Sequence, residues 1–159
     1  MILGASALPV YFRCRVHLRQ DRLLAAFADT LTFSAERIGS DLTALPVLAA
    51  DLERNGPIAL RSFWKQFRQG LEQERDEPDV LWRASLSATG LHREEVGVLE
   101  AYPGILRSYD VERVKRDLLR MRAELESHRR ELRRRFQRNF KAQTGVQISA
   151  ALLLLILLL

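Results

Sequence analysis

The sequence predicts an all-α protein, a cytoplasmic bundle of about six helices whose long last helix runs into a membrane segment. Three observations predict it. Apolar residues recur at steps of three and four through the whole middle of the chain, and no stretch of period two rivals them. Proline, glycine and capping residues divide these patterns into separate segments, at Asn55-Gly56-Pro57, Pro78, Thr89-Gly90 and Asp110. Both ends of the chain are uncharged and apolar, and each adjoins a group of arginines. The expected organisation is therefore an apolar segment over residues 1–12, a helical domain over 13–145 and a C-terminal transmembrane segment over 146–159.

The first helix spans residues 20–40. Leu24, Phe27, Leu31, Ala35 and Ile38 give it one apolar stripe. Ser40 and Asp41 interrupt the pattern. Pro46 opens the second helix, because a proline in the first turn forgoes an N–H that would have had no partner there. Leu45, Leu48 and Leu52 lie on one side of it. Pro57 opens a third helix, to about residue 73, with Leu60, Phe63, Trp64, Phe67 and Leu71 as its apolar face. The fourth covers residues 78–88, with Val80, Leu81, Ala84 and Trp82 facing inward and Asp76 or Glu77 as its cap. The fifth runs over residues 91–107 with Val96, Leu99 and Tyr102 inward; Pro103-Gly104 kinks or breaks it near its end. Asp110 caps the sixth. Val111, Val114, Leu118, Met121, Leu125, His128, Leu132 and Phe136 form a nearly heptad seam on it, able to pair as a coiled coil with a second copy.

The terminal segments carry the topology. Residues 146–159 hold no charge and no helix breaker, so the segment is expected in lipid. It is shorter than the about 20 residues of a full span. Local thinning of the bilayer and snorkelling of Arg138 and Lys141 narrow the gap. Residues 1–12 read as a shortened membrane helix. Arg13, Arg15 and Arg19 flank one end; Arg133, Arg134, Arg135, Arg138 and Lys141 flank the other. Positive charge beside a membrane segment stays on the cytoplasmic side, so both flanks place the domain in the cytoplasm.

Composition narrows the class further. The chain has 159 residues, room for one domain, and 47% hydrophobic content, which argues against disorder. Net charge is +5 with a pI near 10.0. Its single cysteine, Cys14, excludes a disulfide framework within the chain and a cysteine-based zinc site. His17, His92 and His128 sit in different segments without a partner at ligand spacing. A packing role suits His128 on the seam better than ligation. Asp76, Glu77 and Asp79 are the densest acidic group, and capping explains them. The glycines are isolated and form no phosphate loop. Trp64 and Trp82 fall near apolar stripes and are read as core. No catalytic, cofactor-binding or metal-binding residue is expected, and an enzyme is the least favoured class. Arg129, Arg130, Arg133, Arg134 and Arg135 have the charge to bind nucleic acid. Interleaved aromatics are sparse, however, and lipid is the nearer anion, so no nucleic-acid partner is expected.

The order of parts resembles the stage III sporulation protein AB family of endospore-forming bacteria, over about residues 19–159. Arg22-Leu23-Leu24 matches its first helix, Thr43-Ala44-Leu45-Pro46 the start of its second and Trp82 its short fourth helix. Ser108-Tyr109-Asp110 stands at the corner before a long charged helix that enters a membrane segment. Tyr102-Pro103-Gly104 and Leu106-Arg107 depart from the family's Leu-Gly pairs, and Val114 stands near a position where glutamine is common. The resemblance implies a non-enzymatic component of the secretion-like channel between mother cell and forespore, in the cell membrane on the mother-cell side. It is similar to the F-type platform proteins of type II secretion and type IV pilus systems. It implies docking of a cytoplasmic ATPase of the stage III sporulation protein AA type, alongside other channel components. A platform domain of a general secretion or pilus system, and a basic nucleic-acid-binding helical protein, are the alternatives.

Overall fold

The computed structural model describes the backbone of residues 7–38, 44–73 and 76–158, and the side chains of 15–38, 44–73 and 76–138. All regular structure among the described residues is helical. The two longest helices, α1 (Ala7–Arg37) and α7 (Val111–Leu158), pack against each other more extensively than any other pair. They run antiparallel: His17 of α1 meets Phe136, and Asp21 meets Arg129 and Arg133. Short helices fill the space beside the end of this pair that lies away from the chain termini.

α1 begins well before the residue 20 expected from its stripe. No breaker interrupts residues 10–19, and Pro9 falls in the first turn, where proline is tolerated. The backbone of residues 7–12 is therefore continuous with α1, their side chains lying outside the described residues together with residues 1–6. The stripe Leu24, Phe27, Leu31, Ala35 and Ile38 is buried throughout, as its spacing predicts.

α2 (Leu45–Asn55) carries Pro46 in its first turn and buries Leu48, Ala49 and Leu52. It stops at Gly56, where an added Cβ would run into the Leu52 carbonyl oxygen. A 3₁₀ turn, Ile58–Leu60, leads into α3 (Arg61–Glu72). Leu60, Phe63, Trp64 and Phe67 are buried there, and Leu71 is half-buried against the core.

The fourth element, α4 (Pro78–Ser87), differs from expectation in its face. Trp82 and Leu86 are buried, whereas Val80 is 53% exposed and Ala84 is exposed. The indole offers far more area to bury than a valine, and the helix is rotated to seat it. Its Nε1–H donates to the Leu99 carbonyl at 2.7 Å. Glu77 occupies the N-cap position of α4 but caps it with no side-chain hydrogen bond.

The expected fifth helix is two. α5 (Arg93–Leu99) ends at Glu100, and α6 (Tyr102–Leu106) starts afresh with Pro103 in its first turn. Proline here begins a helix instead of kinking one. Asp110 then caps α7, its Oδ1 accepting the Arg113 N–H at 3.1 Å.

The core is aromatic at its centre. Trp82 stacks on Tyr102 at 4.8 Å between ring centres, and Phe63, Trp64 and Phe67 meet Trp82 within 5.6 Å. Each such pair contributes about 0.5–1.5 kcal/mol beyond the area it buries. The Tyr102 hydroxyl, fully enclosed, shares a 2.7 Å hydrogen bond with Ser34 Oγ. Burial pushes its pKa above the ordinary phenol value.

The seam of α7 is covered within the chain. Val114, Leu118, Met121 and Leu125 are buried against the bundle, with His128, Leu132 and Phe136 half-buried beyond them. The helix that covers this seam is α1 of the same chain, so the seam is not left open to a second copy. Among the described residues no helix is long and apolar enough to cross a membrane. The backbone of α7 is helical through Leu158, but the side chains of the apolar run 146–159 lie outside the described residues.

Candidate interaction surface

The antiparallel pairing of α1 and α7 brings together the two arginine groups that lie far apart in sequence. It also divides them by role. Arg129 and Arg133 both grip Asp21. Arg129 Nε and Nη2 donate to the two carboxylate oxygens at 2.7 and 3.2 Å, and Arg133 Nε and Nη2 do so at 2.8 and 2.7 Å. The Asp21 side chain is 16% exposed. The hydrogen bonds from Arg133, with further help from Arg129, hold its carboxyl far below the usual carboxylate range. Arg135 is also engaged, by Glu131 one turn earlier on the same helix at 2.6 Å.

Arg133 and Arg135, expected to face lipid headgroups, are thus ion-paired within the chain while remaining exposed at its surface. The remaining expected residues stand differently. Arg15 and Arg19 are exposed on α1, and Arg134 and Arg138 are exposed on α7. The side chains of Arg13 and Lys141 lie outside the described residues. Arg19, Arg22, Arg130, Arg134 and Arg138 make no hydrogen bond or ion pair among the described residues. All five guanidiniums are exposed to solvent.

Next to the clasp, His17 stacks flat on Phe136, with ring centres 4.2 Å apart and planes within 7°. Burial lowers the imidazole pKa; Asp21 opposes this and Arg133 adds to it. The sequence offered a signal for the clasp in Asp21, an acid set among Arg19 and Arg22. It offered no way to choose its partners among the arginines of α7.

A second feature lies where α5 and α6 meet α7, on the stretch of α7 that leads up to the clasp. An open groove of ≈ 570 Å³ runs between them. Its floor is apolar, formed by Gly97, Val98, Ala101, Ile105 and Met121. Glu94, Asp117 and Glu124 stand on its rim, with Arg120 and His128 beside them. His128 Nδ1 is 4.0 Å from the Glu94 carboxylate, so it borders the groove as well as the seam.

Chemistry-bearing residues are otherwise dispersed. Among the described residues no three of His, Cys, Asp or Glu are grouped to hold a metal ion. Asp79 of the acidic loop pairs with Arg107 at 2.9 Å. His92 is exposed at the start of α5, and the Cys14 side chain lies outside the described residues. Together on the described surface stand an open groove with an apolar lining and arginines without an ion pair.

Comparison with known proteins points to a family and a fold. A family model described as stage III sporulation protein AB (spore_III_AB) matches residues 1–159. A solved structure titled "Stage III sporulation protein AB (SpoIIIAB)" is similar at 17% identity and a TM-score of 0.55. The match covers 74% of this chain and 93% of that one, and at this identity the likeness is one of fold. No curated protein matches the chain.

Proposed function

The chain belongs to the stage III sporulation protein AB family, and from that premise we propose that it is a non-enzymatic docking component of the channel complex between mother cell and forespore. The apolar run 146–159 inserts into the membrane, and the helical domain faces the mother-cell cytoplasm. There it receives an ATPase of the stage III sporulation protein AA type. The observation that carries this reading is the arrangement of α1 and α7. Their antiparallel pair joins an apolar chain end to a helical domain with an open groove, and lines the join with arginines that have no partner among the described residues. Cations at that position suit anionic headgroups, each worth about 1 kcal/mol near the surface. Membrane restriction also raises the effective concentration of the docked partner.

The test is purification of the tagged full-length protein from detergent-solubilised membranes, with co-purifying proteins identified by mass spectrometry. Recovery of the AA-type ATPase with other channel components is the expected result. A clean preparation without the ATPase overturns the docking role. A preparation rich in nucleic acid that salt removes replaces it with the nucleic-acid reading.

A further inference from the structure

We propose that the groove between α5, α6 and α7 is the docking site for a basic helix of the partner protein. An apolar ridge of that helix would lie over Gly97 and Ala101, and its lysines or arginines would reach Glu94, Asp117 and Glu124. The inference rests on the docking reading above and names its surface and the partner's chemistry.

The first argument is glycine economy. Gly97 sits inside α5, where glycine costs about 0.5–1 kcal/mol relative to alanine. A Cβ built on it would meet nothing within 4 Å, so no contact in this chain excludes a side chain there. A backbone laid across α5 from outside would exclude it. Counted from Glu94, Gly97 and Val98 follow at three and four residues on one face of α5, and Ala101 borders the same groove just past the helix end. That face is small in the middle and apolar beside it, which is the relief a crossing helix fits.

The second argument is charge. The chain carries +5 overall, yet three carboxylates rim this one groove. They are weakly committed. Glu124 makes no hydrogen bond or ion pair among the described residues. Asp117 lies 3.8 Å from Arg113, and Glu94 lies 4.0 Å from a histidine that is charged only when protonated. Arg120 is the guanidinium on the lining and opposes them in part. An acidic partner would meet these carboxylates unscreened; a basic helix would neutralise them while burying the floor.

The test uses the full chain in lipid nanodiscs and the purified AA-type ATPase as probe. Three variants are compared with wild type: Gly97→Leu, which fills the floor, Gly97→Ala and Glu124→Lys. Binding should fall at least tenfold for Gly97→Leu and Glu124→Lys. Gly97→Ala should raise the melting temperature while weakening binding, a combination that a purely structural glycine would not give. Added salt should weaken wild-type binding more than it weakens Glu124→Lys. Variants that keep their melting temperature and bind like wild type overturn the groove assignment and leave the docking reading standing. Absence of binding by wild type overturns both. Self-association of wild type that Gly97→Leu abolishes makes a second copy the occupant and overturns the proposal.

Discussion

Asp21 and Arg133 lie 112 residues apart in sequence and meet face to face, carboxylate against guanidinium, through two hydrogen bonds of 2.8 and 2.7 Å. With Arg129 on the same carboxylate, this pair sets the register of α1 on α7. A slide of either helix by one turn would leave only one of the two guanidiniums on the carboxylate.

Replacing Asp21 with Asn should therefore destabilise the protein by about 2 kcal/mol, between the values for exposed and buried pairs. Arg133→Ala should be milder, because Arg129 keeps the carboxylate paired; Asp21→Asn releases both arginines at once. Urea denaturation of the domain decides the order. Equal costs for the two variants would contradict the shared clasp.

The clasp also has a pH signature. Its arginines hold the folded Asp21 pKa below the unfolded value of about 3.9. The stabilisation is present above the unfolded pKa and is lost as pH falls through the folded one. The stability gap between wild type and Asp21→Asn should stay constant from pH 7 down to about 4 and close only in more acid solution. A gap that closes between pH 7 and 5 would rule out this carboxylate as its source.

His17 should act in a different window. Burial favours its neutral form, so the unfolded chain takes up its proton first as pH falls. Stability from the neutral, stacked ring is present above the unfolded value of about 6.5 and declines below it. Melting scans at pH 8 and pH 5.5 should show a loss for wild type that is reduced in His17→Phe, which keeps the stack on Phe136 without the titration.

Glu95 offers a gain. It is 2% exposed, and its Oε2 has no hydrogen-bond partner among the described residues. An unsatisfied buried polar group costs about 1–3 kcal/mol, more when charged. Glu95→Met removes that cost at similar volume and should raise the melting temperature; a lower one would mean that the acid is held by contacts beyond those seen.

Deleting residues 146–159 should move the protein from the membrane pellet to the soluble fraction after carbonate extraction. Complete retention of the shortened chain in the pellet would assign anchoring to the other apolar end.

Local features of this fold were legible in the sequence, and distant ones were not. The stripe from Leu24 to Ile38 and the seam from Val114 to Leu125 follow from spacing alone, because burial repeats with the helical period. Pro46 and Asp110 mark helix starts by chemistry confined to one turn. On α4 the spacing places Trp82 and Leu81 inward, as observed, but does not separate them from Val80 and Ala84, which packing of the indole against Phe63, Trp64, Phe67 and Tyr102 turns outward. The early start of α1 was missed because exposed Val16 and Leu18 break the apolar stripe without breaking the helix. Arg133 and Arg134 are neighbours of identical type, one in a clasp and one in solvent. That difference is set by where Asp21 arrives, which no local pattern encodes. The groove needs three helices to exist, and its carboxylates come from segments more than twenty positions apart.

The unbroken course of α7 gives the molecule a fixed length scale. The helix continues from the Asp110 cap to Leu158 without a proline. At 1.5 Å per residue, the groove beside Met121 stands about 40 Å from the start of the apolar run at Val146. A straight helix of that kind serves as a spacer whose height and azimuth are coupled. Inserting one residue between the groove and the apolar run would lift the groove by only about 1.5 Å but turn it by about 100° relative to that run. Inserting seven would lift it by about 10 Å and return it nearly to its original heading. On the docking reading proposed above, binding that depends on the groove's heading would survive the second change and fail on the first, long before distance mattered.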